Sequence, residues 1–434
     1  MASSERWAAF HHRDFRLVWG GNLISILGTQ MQLTAINWQI YELLAGVDRS
    51  IRVFGRTIPL NVEALGLGGV GLARVIPIMI FAVIGGNLAD VMNRRRLLLW
   101  TNGAAALFAA VLAFLSLTGR ITVPVVYLLT SATAAAAAFS SPAFQSLIPN
   151  LVPESDLTNA ISLNTLVRQI AAITGPALGG LLLGFAGAGA VYAVNALSFA
   201  AIIVALAQLQ YRGGRAERSA GLGVQAILEG WRFVRGNRII WSTMLLDFMA
   251  TFFSSARTML PLIAGQILQV GPQGYGLLST AEAVGSLITG FVLSLRRDIY
   301  KQGAVLLISV AFYGLFSALF GLSTLFVLSY LCYMGIGASD TVSMVIRQTI
   351  RQVITPDRLR GRMTGINQIF FMGGPQLGEI EAGLVASALG APFAIVSGGL
   401  ATLLFTGIIA WRYPRLRNYT HDTMLADQAK QNGA

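Results

Sequence analysis

Charge is scarce in this chain, and cysteine, lysine and histidine are scarcer still. Only 12% of its 434 residues are charged, against roughly 25% in an average soluble protein. A soluble protein so poor in charge would precipitate, so the solvent for most of the chain is lipid. One cysteine, Cys332, excludes an intrachain disulfide framework and a cysteine metal cluster. Lysine occurs only at 301 and 430, which leaves nearly all the positive charge to arginine. The three histidines, His11, His12 and His421, are terminal and build neither a metal site nor a nucleophile triad. A Gly-x-x-x-x-Gly-Lys-Ser/Thr phosphate cradle is missing, which excludes an ATP-driven pump in one chain. No secretory signal peptide is evident before Trp7. The reading is therefore no enzyme, no cofactor, no metal and no nucleic-acid partner, with energy drawn from an ion or substrate gradient.

What is present is apolar: 55% of residues are hydrophobic, and the net charge of +12 matters through its distribution more than its sum. A helix needs about 20 apolar residues to cross the hydrocarbon core. Twelve segments qualify, near 15–41, 66–89, 97–118, 123–147, 157–185, 188–209, 239–263, 275–295, 303–322, 325–346, 363–389 and 392–411. They neither alternate in polarity nor shorten to about 10 residues, as barrel strands do. Arginines gather before the first segment and in the stretches after the second, sixth, eighth and tenth, the last holding Arg347, Arg351, Arg358, Arg360 and Arg362. Alternate connections are nearly bare, apart from 42–65. This asymmetry predicts twelve crossings with both termini in the cytoplasm, and Val224 to Arg235 reads as an amphipathic stretch on the membrane surface.

The chain also repeats. Gly175-Pro176-Ala177-Leu178-Gly179 returns 199 residues later as Gly374-Pro375-Gln376-Leu377-Gly378, and Arg16-Leu17-Val18-Trp19 resembles Arg238-Ile239-Ile240-Trp241. The fold class is thus an all-α membrane protein of two pseudo-symmetric six-helix bundles: 1–210, a linker at 211–238, 239–412 and a cytoplasmic tail at 413–434. Duplicated bundles of this kind are transporters that rock about a central site. The expected setting is the cell (inner or plasma) membrane, multi-pass, as a monomer among lipids.

Gly86-x-Leu88-x-Asp90 followed by Arg94-Arg95 resembles the gating-loop signature of the major facilitator superfamily. Gly175-Pro176-x-x-Gly179-Gly180 resembles the fifth-segment signature of its exporters. Ser141-Pro142-Ala143, Arg360-Gly361-Arg362 and Leu377-Gly378-Glu379-x-Glu381-x-Gly383 resemble the branch that holds enterobactin and macrolide-type drug exporters. The resemblance covers about 15–412. It implies a secondary-active exporter of a small amphipathic molecule, siderophore- or drug-like, exchanging it for protons or another coupling ion. An importer, a facilitator, a lipid-moving transporter or a receptor without flux remain open. Two departures stand out: the fourth segment lacks the arginine of many proton antiporters, and the second-half copy of the gating loop has Ser294 where the acid would fall.

Charge inside a membrane costs about 2.5 kcal/mol upward per residue and marks function or pairing. The proton-coupling candidates are Asp247, Glu282, Asp340, Glu379 and Glu381. By depth, Arg257, Glu282, Glu379 and Glu381 form an outer group, in which Arg257 pairs with Glu282 or Glu379, while Asp247 and Asp340 lie on the inner side. For the outer group the competing role is a static clip between helices; for Asp247 and Asp340 it is capping of the basic cytoplasmic loops, with Arg347 near Asp340. The substrate-cavity candidates are Asn22, Gln30, Asn37, Asn164, Arg168, Asn195, Arg257 and Gln368; for the polar residues of the first segment the competing role is interhelical hydrogen bonding. The gating candidates are Gly86, Asp90, Arg94 and Arg95, with Asp90 expected at the positive end of a helix from the other half.

Overall fold

The computed structural model describes residues 7–47, 49–53, 56–210, 224–295, 299–420 and 422–423, with side chains at 49, 51–59, 82–91, 224–227, 357–358, 360–361, 368–369 and 372 left aside. The elements in order are α1 (Arg13–Leu44), β1 (Arg49–Val53), β2 (Arg56–Leu60), α2 (Val62–Val91), α3 (Arg94–Leu117), α4 (Val123–Leu147), α5 (Leu157–Ala207), α6 (Val224–Gly236), α7 (Arg238–Phe253), α8 (Leu260–Leu262), α9 (Gly271–Leu278), α10 (Ala281–Ser294), α11 (Gln302–Leu322), α12 (Phe326–Ile354), α13 (Asp357–Leu389), α14 (Ala391–Arg412) and α15 (Pro414–Arg417). Among the described residues, eight helical stretches are long and apolar enough to span a membrane. The architecture is helical as expected, and the stretch read as a connection at 42–65 folds into a short antiparallel hairpin of β1 and β2, in which Arg49 pairs with Leu60.

Local sequence sets the helix ends. Asn93 caps α3 by accepting from the backbone N–H of Arg95 and Arg96, and Asn237 caps α7 by accepting from Ile239 and Ile240. α5 has 51 residues, about 76 Å at 1.5 Å per residue, more than twice the hydrocarbon thickness. It breaks at Gly187, where φ 75° and ψ 175° suit a residue without a Cβ. Three expectations need correction. α12 does not stop at 346 but runs to Ile354, because no breaker intervenes before Pro356; Arg347 and Arg351 are therefore buried helical residues rather than loop charges. The stretch 239–263 is interrupted by a turn at Ser254–Ser255 and a 3-10 turn, Ala256–Met259. The stretch 275–295 is interrupted between α9 and α10.

The chain divides into two compact units. Unit 1 comprises Met1–Ala45, Gly69–Gly221 and Val270–Thr280; unit 2 comprises Gly46–Gly68, Leu222–Gln269 and Ala281–Ala434. In unit 1, α5 is the central support, packed by α1, α3 and α9. Phe15, Val18, Leu97, Leu98, Leu147 and Leu206 form part of its core. The polar row of α1 is spent on hydrogen bonds to neighbouring helices. Gln32 Oε1 accepts from Asn195 Nδ2 at 2.7 Å, and Gln39 accepts from the Tyr192 hydroxyl at 2.7 Å while donating to Ser116 Oγ at 2.7 Å. α9 meets α5 through Gly180 and Gly276, where a Cβ on either would overlap the other's backbone.

In unit 2, α11 packs on α12 and α14, α10 on α12, and α13 on α6, α7 and α14. Ile240, Met244, Leu306, Ile346, Ile350 and Leu416 lie in its core. α10 and α12 approach closely because Gly337 leaves room for the Glu282 carbonyl and Gly285 for that of Met334. That approach places Glu282 beside Tyr333.

Candidate functional site

A cavity of about 260 Å³ in unit 2 is lined by Asp247 of α7, Arg257 of the 3-10 turn, Glu282 of α10, Asp340 of α12 and Glu379 of α13. Five of the intramembrane charges singled out by sequence thus come together, although their depth along the segments split them into two groups. Both groups share one cavity because the stretches that carry Asp247, Arg257 and Glu282 are interrupted while α12 and α13 run unbroken beside them: Ser254, Ser255 and Ala256, at the break after α7, are part of the wall. Non-helical backbone at membrane depth is tolerated only inside protein or beside a cavity, and interrupted helices mark ion and substrate sites in transporters.

The electrostatic centre is Arg347. Its Nη1 lies 2.5 Å from Asp247 Oδ1 and its Nη2 3.3 Å from Asp340 Oδ1. The Arg347 and Asp247 side chains are 3% and 4% exposed, whereas that of Asp340 is 40% exposed. Arg351, one turn on, donates from Nε to the Arg347 carbonyl at 3.1 Å and bonds Asn367 through Nη1. Two carboxylates therefore share one guanidinium, and the buried one holds it more closely. Sequence reasoning places Arg347 in a loop near Asp340; what it misses is that the helix continues, so that the spacing of seven is two turns on one face, and that Asp247 joins the same guanidinium.

A second polar pair occupies the same wall. The Tyr333 hydroxyl donates to Glu282 Oε2 at 2.9 Å, and Tyr333 is 2% exposed. Tyr313 donates to the Ser254 carbonyl at 3.5 Å, which gives the broken end of α7 a partner. Neither tyrosine is a sequence candidate, since single tyrosines inside apolar runs carry no spacing signal. Arg257 is exposed and faces the cavity with Glu282 and Glu379. Glu381 is partly buried on α13 and lies off the lining.

The remaining candidates lie elsewhere. In unit 1, Asn195 is 1% exposed and bonded to Gln32, Asn22 reaches Asn164 at 3.5 Å, and Gln30 packs on Gly175. Asn37 is partly buried, and Arg168 is exposed with Nη2 3.4 Å from Thr165 Oγ1. Of the gating residues, Arg94 donates to the Ser146 carbonyl at 3.0 Å and Arg95 to the Ala207 carbonyl at 2.5 Å. Each arginine thereby bonds a carbonyl near the C-terminal end of α4 or α5, the negative end of the helix dipole. The side chains at Gly86, Asp90 and Gln368 lie outside the described residues.

Against known proteins, residues 4–432 match the family described as transmembrane secretion effector. The enterobactin exporter EntS of Shigella boydii serotype 4 is 24% identical over 399 residues, which is 92% of this chain and 91% of that protein. The staphyloferrin A transporter of Staphylococcus aureus is 24% identical over 353 residues, 79% of this chain and 86% of that one. Among solved structures, a bacterial homologue of the iron transporter ferroportin, in an inward-facing state, has a TM-score of 0.68 at 16% identity, covering 94% of this chain and 99% of its own. A mutant of the nucleoside transporter NupG has a TM-score of 0.69 at 12% identity, covering 92% and 100%.

Proposed function

The chain belongs to the transmembrane secretion effector family of the major facilitator superfamily, whose members are multi-pass membrane transporters and not enzymes, and from that premise we propose that it is a secondary-active exporter of a siderophore-like amphipathic molecule, driven by proton antiport. The observation that carries the proposal is the sharing of Arg347: two carboxylates contact one guanidinium beside a membrane-embedded cavity, while Arg351, one turn on, is engaged with the Arg347 carbonyl and Asn367. With both acids ionised, the more distant one has only a shared counter-charge in contact, and a carboxylate so placed is costly in a membrane. Asp247 is committed to Arg347 by proximity and burial. Asp340, more open and more distant, is the acid that takes up and releases a proton. Glu282, held by Tyr333, and Glu379 extend the acidic wall towards Arg257, and Glu381 is the remaining candidate.

The cavity is smaller than the roughly 300–1,000 Å³ of pockets that enclose drug-sized ligands. Its charges therefore serve the driving ion, and the cargo is assigned to polar residues outside this wall, Asn22, Gln30, Asn37, Asn164, Arg168 and Gln368, with Arg257 at its edge; Asn195, buried against Gln32, holds α1 in place behind them. The siderophore class is supported by the names of two relatives, the enterobactin exporter and the staphyloferrin A transporter. In the same reading the chain crosses the inner membrane twelve times with both termini cytoplasmic, and Gly86, Asp90, Arg94 and Arg95 form the gating loop. Arg94 and Arg95 support it by fixing the ends of α4 and α5 on which the loop rests.

The test is uptake of radiolabelled siderophores into inverted vesicles with an imposed proton gradient. Accumulation above equilibrium that collapses with a protonophore is expected. Simple equilibration makes the protein a facilitator, and binding without flux makes it a receptor; either result overturns the proposal.

A further inference from the structure

The end of unit 2 where α7 begins and α14 finishes holds a second cavity, of about 590 Å³, separate from the acidic one. Arg235, Arg238, Arg412 and Arg415 line it together with Trp231 and Trp241, and no acidic side chain is part of its wall. Among the described residues, no carboxylate forms an ion pair with Arg235, Arg238, Arg412 or Arg415, in contrast to Arg347 and Arg362 of the same unit. Four fixed positive charges around one cavity repel one another unless an anion lies among them, and the guanidinium fork matches the geometry of a phosphate. The dipole of α7 is not the recruiting element, because Asn237 already accepts from its first free N–H groups.

Position favours a lipid as the source of that phosphate. The cavity sits at the ends of two membrane-spanning stretches, Arg238–Ile267 and Ala391–Arg412, which is headgroup depth. Trp231 and Trp241 cross edge to face with ring centres 5.8 Å apart, and each also packs on Phe370, at 6.3 and 6.0 Å. Such indoles belong at the membrane–water boundary, and their mutual packing makes one wall rigid before any ligand arrives. α6 leads into the site with Trp231 and Arg235 one turn apart on one face. The volume falls within the range of small-ligand sites.

We propose that this cavity binds the phosphate headgroup of an anionic phospholipid, with the arginines on the phosphate and the tryptophans against the glycerol and upper acyl chain. The test is native mass spectrometry of the delipidated full-length protein titrated with dioleoyl phosphatidylglycerol, dioleoyl phosphatidylcholine and, as the soluble counterpart, sn-glycerol 3-phosphate. Phosphatidylglycerol is expected to bind at least about tenfold tighter than phosphatidylcholine. Arg235→Gln with Arg412→Gln is expected to weaken phosphatidylglycerol binding about thirty-fold, from the surface attraction of two arginines, without altering melting in lipid-free detergent. Arg235→Lys with Arg412→Lys, which keeps the charge, is expected to retain most of it. Absence of a phosphatidylglycerol preference in the unaltered protein, unaltered binding by the glutamine variant, or displacement of the lipid by equimolar sn-glycerol 3-phosphate overturns the proposal. Arg238→Gln with Arg415→Gln serves as a second pair if the first fails to fold. The assay needs neither gradient nor cargo, so its failure is distinct from failure of the exporter reading.

Discussion

Arg347→Gln isolates the logic of the acidic cavity. The substitution leaves Asp247, 4% exposed, with no counter-charge at 2.5 Å, and deprives Asp340 of its contact at 3.3 Å. Removing one partner of a buried pair costs about 3–5 kcal/mol, because the charge left behind is uncompensated. Asp247→Asn leaves Arg347 with the more distant and more open Asp340, so its cost is smaller, about 2–3 kcal/mol on the same scale. The double variant removes both members of the close pair and leaves only the more open Asp340 without its arginine, so its loss is expected to fall short of the sum of the single losses by a coupling of about 2 kcal/mol in a double-mutant cycle. Asp340→Asn leaves the close pair intact and is expected to cost less than about 1 kcal/mol. That same change removes the exchangeable acid and is expected to abolish gradient-driven accumulation while sparing equilibrium binding of the cargo. Denaturant unfolding in detergent measures the stabilities, and inverted-vesicle uptake measures the coupling. Additive losses in the cycle refute the shared-guanidinium account. Accumulation at the unaltered level in Asp340→Asn refutes the assignment of the proton.

Tyr333→Phe removes the donor to Glu282, leaving a carboxylate short of one partner; a loss of about 1.5–3 kcal/mol is expected for a bond to a charged group, and unaltered unfolding would show that water replaces the hydroxyl. Gly180→Val pushes a side chain into the backbone of Gly276 and Pro272, and overpacking of this kind costs about 1–3 kcal/mol; thermolysin cleavage near α9 is expected to accelerate, and an unchanged digestion pattern would mean the contact is not tight. Asp90→Asn is expected to preserve expression and membrane insertion but to lose most transport, since the gate needs an anion and not merely a polar group; full activity in that variant, measured by the same vesicle uptake, removes the latch.

The helices are legible in the sequence because lipid imposes a strong and simple rule: long apolar runs bounded by arginine, proline or glycine. What hydropathy misses are the places where helices break or continue for other reasons. The break after α7 falls at Ser254-Ser255, residues that neither lower hydropathy much nor forbid a helix. Ser254 stays ordered because its hydroxyl meets Thr402 at 2.9 Å and its carbonyl accepts from Tyr313, partners that only the tertiary structure supplies. The opposite error arises at Arg347, where a run of polar residues resembles a membrane exit although the helix continues and buries them. The same limit separates the acids. Residues at different depths in a linear chain meet in one cavity because Gly337 lets α10 approach α12 backbone to backbone and because the chain breaks where it would otherwise carry Arg257 away. The polar row of α1 gives the converse case. Gln32, Gln39 and Asn195 advertise a cavity by their chemistry, yet their amide groups are directed at one another and at Tyr192 and Ser116. Polarity in a membrane helix thus identifies residues that need a partner, and only the packing decides whether that partner is a neighbouring helix, an ion or the cargo.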